Sequence, residues 1–399
     1  MQKEYGGDRI IVEGIDVALS ARDIWMRNLS LAALATRSVA IKRMSDMNGR
    51  GAYFSVLLQS HFGRWFVRFL SLFLTPRGLF DGLFKKYAPN VVCSTDVQNE
   101  IDVRLMHEAR RRKVPLIGMV RSWDNLTIKG LLRLVPDVLL VQNKLTESDA
   151  IAYHGIARNK LKVVGVPHYD AYCEQKTCDH EKLMPDVSAL SKRILLYIAT
   201  GDRYIKNNTV DCELLDILAS LRSKDECIIV RLPVADTVQC LSTDSAHDGI
   251  FFEQVDKQRF ARRKFVELSR ADDMHLQNLL CCADIVVTGP STMCVDAALF
   301  NTPVILVGFD GTHKRLYKES IARYYDYDHF KSILASKGVW YVKSADELGE
   351  ALAAYRVNPA LHAEGRKKII DEQTGGLLGQ ASQNLAAVLV DFLRAHTGE

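Results

Sequence analysis

The sequence contains no stretch of about 18 uninterrupted apolar residues, although it is 399 residues long. A helix that spans a bilayer needs such a stretch, so we expect no transmembrane helix. The first ten residues, MQKEYGGDRI, also lack the apolar core of a signal peptide, and we therefore expect a cytoplasmic protein. The length is too great for one ordinary domain and suits two.

Residue spacings that hold metals or phosphates are missing as well. The nine cysteines include no CxxC pair and the histidines no HxxxH pair, so we expect no metal. The cysteines are odd in number and scattered, and several lie in apolar segments, which is typical of reduced cytosolic thiols. Those in apolar segments are Cys93, Cys227, Cys281 and Cys294. No Walker-type glycine loop is present, and we expect no cofactor.

The charge of the chain is unevenly distributed. The formal net charge is +4, but residues 1–170 contain 25 Lys and Arg against 16 Asp and Glu, whereas the remainder contains 27 against 32. Residues 24–86 contain ten basic residues and only two acidic ones. We expect this basic half to meet an anionic partner. Outside residues 53–87 no basic stripe supports a nucleic acid as that partner.

Short apolar segments alternate with helical segments, and this alternation predicts an α/β protein with parallel sheets. The predicted strands are Ile10–Val12, Val91–Cys93, Pro115–Val120, Val138–Val141, Lys162–Val164, Lys192–Ile198, Cys227–Arg231, 250–253, Ile285–Val287, Val304–Val307 and Val339–Val342. The polar residues 171–190 are predicted to link an N-terminal domain, residues 1–175, to a C-terminal domain, residues 190–399. Both domains are expected to be Rossmann-like and doubly wound, with the carboxyl ends of their strands facing one cleft.

The most informative segment is residues 283–310. An apolar strand ends at Gly289-Pro290, Ser291 and Thr292 open a helix, and a second apolar strand follows Pro303. Free N–H groups and the helix dipole at such an entrance favour an anion, and Asp296 lies one turn further, where it can accept hydrogen bonds from a ribose. The alternative is that Ser291 or Thr292 only caps the helix and Asp296 is a dipole-favoured acid.

Two further loops carry cations at strand ends. Thr200, Gly201 and Arg203 follow one strand, and Arg231 ends the next. Backbone N–H groups and guanidinium groups there could bind phosphate oxygens. The alternative for each arginine is an ordinary surface position.

Three residues are candidates for the general base. Asp124 follows a buried strand within Ser122-Trp123-Asp124-Asn125 and is the first candidate, with an Asx turn as the alternative interpretation. Asp96 follows the preceding strand and competes with it. His168, in the approach to the second domain, is the third, although a hinge residue bonded to backbone is the more ordinary interpretation.

The segments SWDNLTIKG (122–130), PDVLLVQN (136–143), VVGVPHYDAY (163–172) and ADIVVTGPSTMCVDAAL (283–299) resemble glycosyltransferases of the GT-B fold. More narrowly, the chain is similar to bacterial surface-polysaccharide transferases and to the CDP-glycerol glycerophosphotransferase family. The resemblance implies that Ser291, Thr292 and Asp296 hold the diphosphate and ribose of a nucleotide-activated donor. Asp326-Tyr327-Asp328 has the DxD spacing that binds metal in the other glycosyltransferase fold, but we assign no metal to it.

Residues 53–87 interleave aromatic and basic residues. A basic, aromatic amphipathic segment suits an anionic membrane surface, with Arg64 and Arg68 reaching the headgroups. The alternative is a pair of core-facing helices whose arginines extend to solvent.

We therefore expect an enzyme peripheral to the inner membrane face that transfers a sugar from a nucleotide-activated donor to a hydroxyl of a lipid-linked or cell-surface glycan. Three alternatives stay open: a CDP-glycerol glycerophosphotransferase, a sugar-nucleotide 2-epimerase, and a non-catalytic GT-B scaffold.

Overall fold

The structure of the protein is a computed structural model that describes residues 10–15, 17–46, 56–174, 177–183, 193–234, 236–241, 249–253 and 269–397. Two parallel sheets organise these residues, one in each half of the chain. The predicted class, α/β with two Rossmann-like domains, is confirmed. Within the described ranges, no helix is both long enough and apolar enough to cross a membrane.

Among the described residues, four helices precede the N-terminal sheet: α1 Ala21–Ala32, α2 Arg37–Asp46, α3 His61–Leu74 and α4 Asp81–Tyr87. The sheet has four parallel strands in the order β1-β2-β3-β4. These strands and the helices between them are β1 Val92–Ser94, α5 Glu100–Arg111, β2 Leu116–Met119, α6 Asn125–Ile128, β3 Val138–Val141, α7 Lys144–Ala152 and β4 Leu161–Val163. The strand predicted at Ile10–Val12 is wrong, since only Ile10 forms a single bridge and both isoleucines are exposed. Strand propensity depends on packing and burial, and the described residues do not bury these two isoleucines.

The C-terminal sheet has six parallel strands in the order β10-β9-β8-β5-β6-β7. Its strands are β5 Arg193–Ile198, β6 Glu226–Arg231, β7 Ile250–Phe252, β8 Ile285–Thr288, β9 Val304–Val307 and β10 Trp340–Val342. The helices of this half are α8 Val210–Leu221, α9 Arg270–Cys282, α10 Met293–Leu299, α11 Phe330–Ser336, α12 Ala345–Val357, α13 Ala363–Thr374 and α14 Ala381–Thr397. A buried apolar cluster covers each face of the sheet, which explains why its strands read as continuous apolar runs.

The last helix, α14, returns to the N-terminal sheet. Phe392 packs against Ile117, Leu140 and Val164 on one face of that sheet. At the start of α14, the Asp170 carboxylate accepts hydrogen bonds from the N–H of Ala381 (3.1 Å) and the N–H of Ser382 (2.6 Å). The chain therefore crosses between the two halves twice, once after β4 and once before α14.

The four cysteines named from the sequence, Cys93, Cys227, Cys281 and Cys294, are free as expected, but four others form disulfides. Cys178 is bonded to Cys282 and Cys212 to Cys240, with Cα–Cα distances of 4.9 and 6.0 Å. The partners are 104 and 28 residues apart in the sequence. Only the fold brings them together, so spacing along the chain could not reveal either pair.

Candidate active site

The order of the C-terminal sheet reverses between β5 and β8. The chain runs outward from β5 through β6 to β7 and then returns to place β8 on the other side of β5. In an open parallel sheet such a reversal separates the loops at the carboxyl ends of the two central strands, and ligands bind in the crevice that results. The loop after β5 and the turn after β8 are two of the segments predicted to bind a nucleotide.

These loops lie against one another. A Cβ at Gly289 would overlap the Thr200 hydroxyl, so the turn after β8 approaches the loop after β5 as closely as a glycine permits. A Cβ at Gly201, whose φ is +98°, would likewise meet Asp236 and Pro233 in the loop after β6. The loops after β5, β6 and β8 therefore form one continuous edge.

At the turn after β8, Ser291 is half-buried, and its hydroxyl accepts a hydrogen bond from the N–H of Met293 at 3.3 Å. Thr292 occupies the N-cap position of α10, but its exposed side chain does not cap the helix. Ser291 thus satisfies one helix-end donor, as the capping interpretation expects. Whether either hydroxyl also contacts phosphate stays a prediction.

Asp296 lies in a cluster of ionisable and aromatic side chains at the junction of the two halves. Its side chain is 6% exposed and is hydrogen-bonded to Tyr172. Tyr172 OH is 3.4 Å from His168 Nε2, and His168 Nε2 is 3.6 Å from Asp273 Oδ1 on α9. His168 and Tyr172 belong to the 3₁₀ segment Pro167–Cys173 that leaves the N-terminal domain. The structure thus brings the predicted residues His168 and Asp296 together.

The environment of Asp296 opposes its charge. Burial raises the pKa of its carboxyl to about 6, with a smaller contribution from the negative charge of Asp273. The positive charge of His168 and the hydrogen bond with Tyr172 act in the opposite direction and offset this only in part. Burial and the nearby Asp296 raise the pKa of Tyr172 well above its usual range, so Tyr172 stays a hydrogen-bond donor. The partly protonated carboxyl of Asp296 can therefore form a hydrogen bond with a hydroxyl of a ligand.

The backbone of the loop after β5 is already satisfied from within the protein. The N–H groups of Thr200 and Gly201 donate to the Asp211 carboxylate at 3.0 and 3.1 Å, and the N–H of Arg203 donates to Asp236 at 2.9 Å. The sequence interpretation expected these amides to face a phosphate. In this structure they instead donate to carboxylates of the protein. The side chains of Arg203 and Lys206 are exposed in this loop.

Arg231 ends β6 and is buried. Its guanidinium forms an ion pair with Glu253, which is also buried and lies 3.2 Å from His275 Nε2. The second oxygen of Glu253 is buried with no hydrogen-bond partner among the described residues. Arg231 is thus held by a carboxylate at the edge of the sheet, and a role on the donor phosphate stays a prediction.

On the N-terminal side, the loops after β1 and β2 also meet. The buried Asp96 carboxylate lies 3.6 Å from Lys129 Nζ and 3.9 Å from an Arg121 nitrogen. Its Oδ1 accepts a hydrogen bond from the N–H of Gln98 at 3.2 Å. The pKa of the neighbouring Asp102 is raised by burial and by the charge of Asp96, against a hydrogen bond from Ser94. Asp96 therefore lies in a charged, hydrogen-bonded setting.

Asp124 lies where the two halves face each other. It precedes α6 in a half-buried position and does not cap that helix. The adjacent Trp123 packs edge-on against His329 and Phe330 of the C-terminal half, with ring centroids 4.8 and 5.2 Å apart. Burial lowers the pKa of His329 to about 4, although the charges of Asp124 and Asp328 oppose this shift. His329 was not a sequence candidate, because only the fold places it beside Asp124.

The DxD residues connect the two halves. Asp326 pairs with Arg37 at 2.7 Å, and Asp328 accepts a hydrogen bond from the N–H of Ser38 at 2.9 Å. Both contacts reach the start of α2. Both carboxylates therefore have partners inside the protein.

Sequence reasoning missed a basic cavity of about 400 Å³ beside the loops after β5 and β9. Its lining residues are Lys206, Asn207, Lys314, Arg315, Leu316 and Glu319. Arg315 donates to the backbone carbonyls of Lys206 (2.7 Å) and Asn207 (2.9 Å), which fastens the two loops together. The basic pattern KRLYK at 314–318 was the available signal.

One group of three side chains in the described ranges has the composition of a metal site. Cys178, His180 and Cys282 have their potential ligand atoms within 4.8 Å of one another. The two sulfur atoms are joined in a disulfide, and a disulfide sulfur is not a thiolate ligand. This arrangement does not hold a metal in the oxidised form.

Comparisons with known proteins establish the fold. The chain is similar to a solved structure from Listeria monocytogenes, assigned as a UDP-N-acetylglucosamine 2-epimerase, with 13% identity, a TM-score of 0.53 and coverage of 94% of this chain and 95% of that one. It is similar over the same shares to MnaA of S. aureus with UDP, at 13% identity and a TM-score of 0.55. The wall teichoic acid polymerase TagF gives a TM-score of 0.47 at 13% identity, over 71% and 69% of the two chains.

The protein has the GT-B fold. The similarity runs along nearly the whole of both chains for the first two structures, but 13% identity establishes the fold alone. No protein-family model matches the sequence, and no curated protein matches it.

Proposed function

We propose that the protein is a glycosyltransferase that uses a nucleoside diphosphate sugar. The observation that supports this most directly is Asp296, a buried carboxyl with its pKa raised to about 6, hydrogen-bonded to Tyr172 and near the charge of His168, on the helix that follows β8. Burying a carboxylate without full compensation costs stability. A ribose diol that donates hydrogen bonds to Asp296 would offset that cost. Ribose binding would therefore explain why a carboxyl is buried at this position.

In this proposal the donor diphosphate lies at the turn of Ser291 and Thr292. The side chain of Arg203 and the cations of the basic cavity are the charges that would stabilise the leaving group. The acceptor hydroxyl approaches from the N-terminal side, where Asp124 removes its proton. The acceptor oxygen then bonds to the anomeric carbon as the bond from that carbon to the diphosphate oxygen breaks, and the nucleoside diphosphate leaves.

The acceptor in this proposal is a lipid-linked or cell-surface glycan. Asp124 is preferred as base because it faces the other half of the molecule, whereas the Asp96 carboxylate already lies within 4 Å of Lys129 and Arg121. His168 is bound to the Asp296 cluster and suits donor positioning better than proton transfer from an acceptor.

The first experiment is calorimetry with UDP, CDP, GDP and TDP on the wild type and on Ser291→Ala with Thr292→Ala. We expect one nucleotide to bind and the double variant to lose about 1–3 kcal/mol of binding free energy, because hydroxyl bonds to charged phosphate are removed. If no nucleotide binds, or if the double variant binds equally well, the proposed site is wrong. Glycerol phosphate in the product would instead identify a CDP-glycerol transferase.

A second candidate is a sugar-nucleotide 2-epimerase. It is favoured by the cluster of Asp296, Tyr172, His168 and Asp273, which offers both a proton donor and a proton acceptor without an acceptor substrate. Isotope exchange at a sugar carbon without glycosyl transfer would support it. Nucleotide binding without turnover of any donor would support a non-catalytic scaffold.

A further inference from the structure

Helix α3 carries a continuous aromatic face that no described part of the protein covers. Six large apolar side chains lie on it, spaced three or four residues apart: Phe62, Trp65, Phe66, Phe69, Leu72 and Phe73. Their exposed fractions range from 37% for Phe66 to 71% for Phe62. The rings stack along the helix, with centroid distances of 5.2 Å from Trp65 to Phe69 and 4.9 Å from Phe69 to Phe73. This row is a surface rather than a core.

The opposite side of α3 fixes the helix to the domain. Gly63, Val67 and Ser71 are buried. Arg64 donates to the carbonyl of Tyr153 at 3.1 Å, and Arg68 donates from Nε to the carbonyl of Leu132 at 3.0 Å. Burial and the neighbouring Arg64 lower the pKa of Arg68 to about 10. The expectation that both arginines reach lipid headgroups is therefore wrong, because their side chains turn inward to satisfy backbone carbonyls.

Helix α1 extends the aromatic face. It packs against α3 through Met26 and Val67, and it exposes Ile24 (42%) and Trp25 (51%). Its exposed cations are Arg22 and Arg27. The acid on this helix, Asp23, is buried and paired with Arg104. We call this surface, Ile24 and Trp25 together with the six residues of α3, the aromatic face.

The charged residues near the aromatic face indicate which kind of partner binds it. Residues 47–80 contain no acidic residue, and basic residues flank α3 on both sides in the sequence at Arg50 and Arg77. Tryptophan and phenylalanine side chains favour the boundary between headgroups and acyl chains, and nearby cations favour anionic lipid. A second copy of the same face would instead bring cations against cations.

We propose that the aromatic face binds the surface of an anionic phospholipid bilayer, with α3 lying in the plane of the interface. The apolar side chains enter the headgroup boundary, and Arg22 and Arg27 of α1 contact lipid phosphates in place of Arg64 and Arg68. Arg50, Tyr53 and Phe54, which belong to the same stretch of sequence, lie outside the described residues. The proposal is independent of the enzymatic one, since the face lies on α1 and α3, two helices that precede the N-terminal sheet.

The test is sedimentation of the full chain with vesicles of phosphatidylglycerol and phosphatidylcholine, and with vesicles of phosphatidylcholine alone. We expect binding to the anionic vesicles and at least tenfold weaker binding after Phe69→Ser with Phe73→Ser. The matched control is Val357→Ser with Leu393→Ser, which also replaces two exposed apolar side chains and should bind as the wild type does. Arg22→Glu with Arg27→Glu should remove the preference for phosphatidylglycerol.

A second measurement locates the contact. Two of the four tryptophans, Trp25 and Trp65, lie on the aromatic face, whereas Trp123 and Trp340 pack against other aromatic rings. Lipids brominated on the acyl chain should quench the wild type, and Trp25→Phe with Trp65→Phe should abolish the quenching while vesicle binding persists.

Three results would overturn the proposal. In the first, the wild type fails to bind anionic vesicles. In the second, the variant Phe69→Ser with Phe73→Ser, shown to be folded by circular dichroism, binds them as well as the wild type does. In the third, sedimentation equilibrium shows a dimer that this variant dissociates while vesicles have no effect, which would make the face a contact between two copies.

Discussion

Replacing Asp296 by asparagine should stabilise the protein at alkaline pH and weaken nucleotide binding at the same time. Asparagine has nearly the shape of the protonated carboxyl and keeps an oxygen that accepts from Tyr172. It removes the charge that the buried site disfavours. A purely structural carboxylate would give the opposite sign for stability, so this substitution separates a binding residue from a stabilising one.

The magnitude follows from the shift in pKa. The carboxyl has a reference value of 3.8 and a folded value of about 6, and each unit corresponds to about 1.4 kcal/mol. The folded state therefore binds the proton more tightly than the unfolded state, so the penalty is full above pH 6 and falls as the pH drops towards 4. At pH 8 the variant should gain up to about 3 kcal/mol of unfolding free energy, and at pH 4 most of the difference should be gone.

The assay is urea unfolding of the wild type and Asp296→Asn, followed by circular dichroism at pH 8, 6 and 4. Calorimetry with the nucleotide that binds best gives the functional half of the prediction. Wild-type affinity should fall as the pH drops through about 6, because the ribose hydroxyls need an ionised acceptor. The affinity of Asp296→Asn should be low and should lack this dependence on the Asp296 proton.

Asp211 provides the matched control because it is also a fully buried aspartate of the C-terminal domain. It accepts hydrogen bonds from Tyr197 OH (2.7 Å), Asn208 Nδ2 (2.7 Å) and the two amides of the loop after β5. Asp211→Asn should therefore destabilise the protein by about 1–3 kcal/mol. The reasoning fails if Asp296→Asn is destabilising at pH 8, or if its effect on stability does not change between pH 8 and pH 4.

Three further perturbations test other parts of the structure. Gly289→Ala should destabilise the C-terminal domain by overlapping the Thr200 hydroxyl, and Thr200→Ala in the same chain should restore part of the loss measured by thermal unfolding. Asp124→Asn should reduce glycosyl transfer about 100-fold or more in a radiolabelled-donor assay while nucleotide affinity stays the same, and equal transfer by the variant would remove Asp124 as the base. Reduction of the Cys212–Cys240 disulfide, which closes a 28-residue loop, should lower the free energy of unfolding of the wild type by about 3 kcal/mol. Cys212→Ser lacks this disulfide, so reducing agent should lower its free energy of unfolding by about 3 kcal/mol less than that of the wild type.

The strands of both sheets could be predicted because apolar residues buried on both faces leave a continuous signal. The prediction of Cys227–Arg231 differs from β6 by one residue, and Val138–Val141 matches β3. The same pattern failed at Ile10–Val12, where Ile10 and Ile11 are exposed and only Ile10 of the three residues forms a bridge. Local composition therefore located the segments that the fold buries and could not tell whether a partner strand existed.

The direction of a polar side chain was harder to predict than its position. Arg64 and Arg68 lie on an aromatic helix, as the sequence predicted. Their side chains turn inward, however, because they donate hydrogen bonds to the carbonyls of Tyr153 and Leu132. The amides of Thr200 and Gly201 likewise lie at the predicted strand end and are bound by Asp211 from the following helix. In both cases the deciding partner is a group that the sequence pattern does not mark.

The Asp296 cluster joins residues that sequence reasoning treated separately. His168 and Tyr172 leave the N-terminal domain, whereas Asp273 and Asp296 belong to two helices of the C-terminal domain. A ribose bound at Asp296 would compete for the hydrogen bond from Tyr172, and the charge on Asp296 affects the pair formed by His168 and Asp273. In the proposed function, donor binding and the contact between the domains would therefore involve the same carboxyl. That would give a physical reason why a buried acid of raised pKa lies at this junction rather than beside Arg231, where an ion pair would have stabilised its charge.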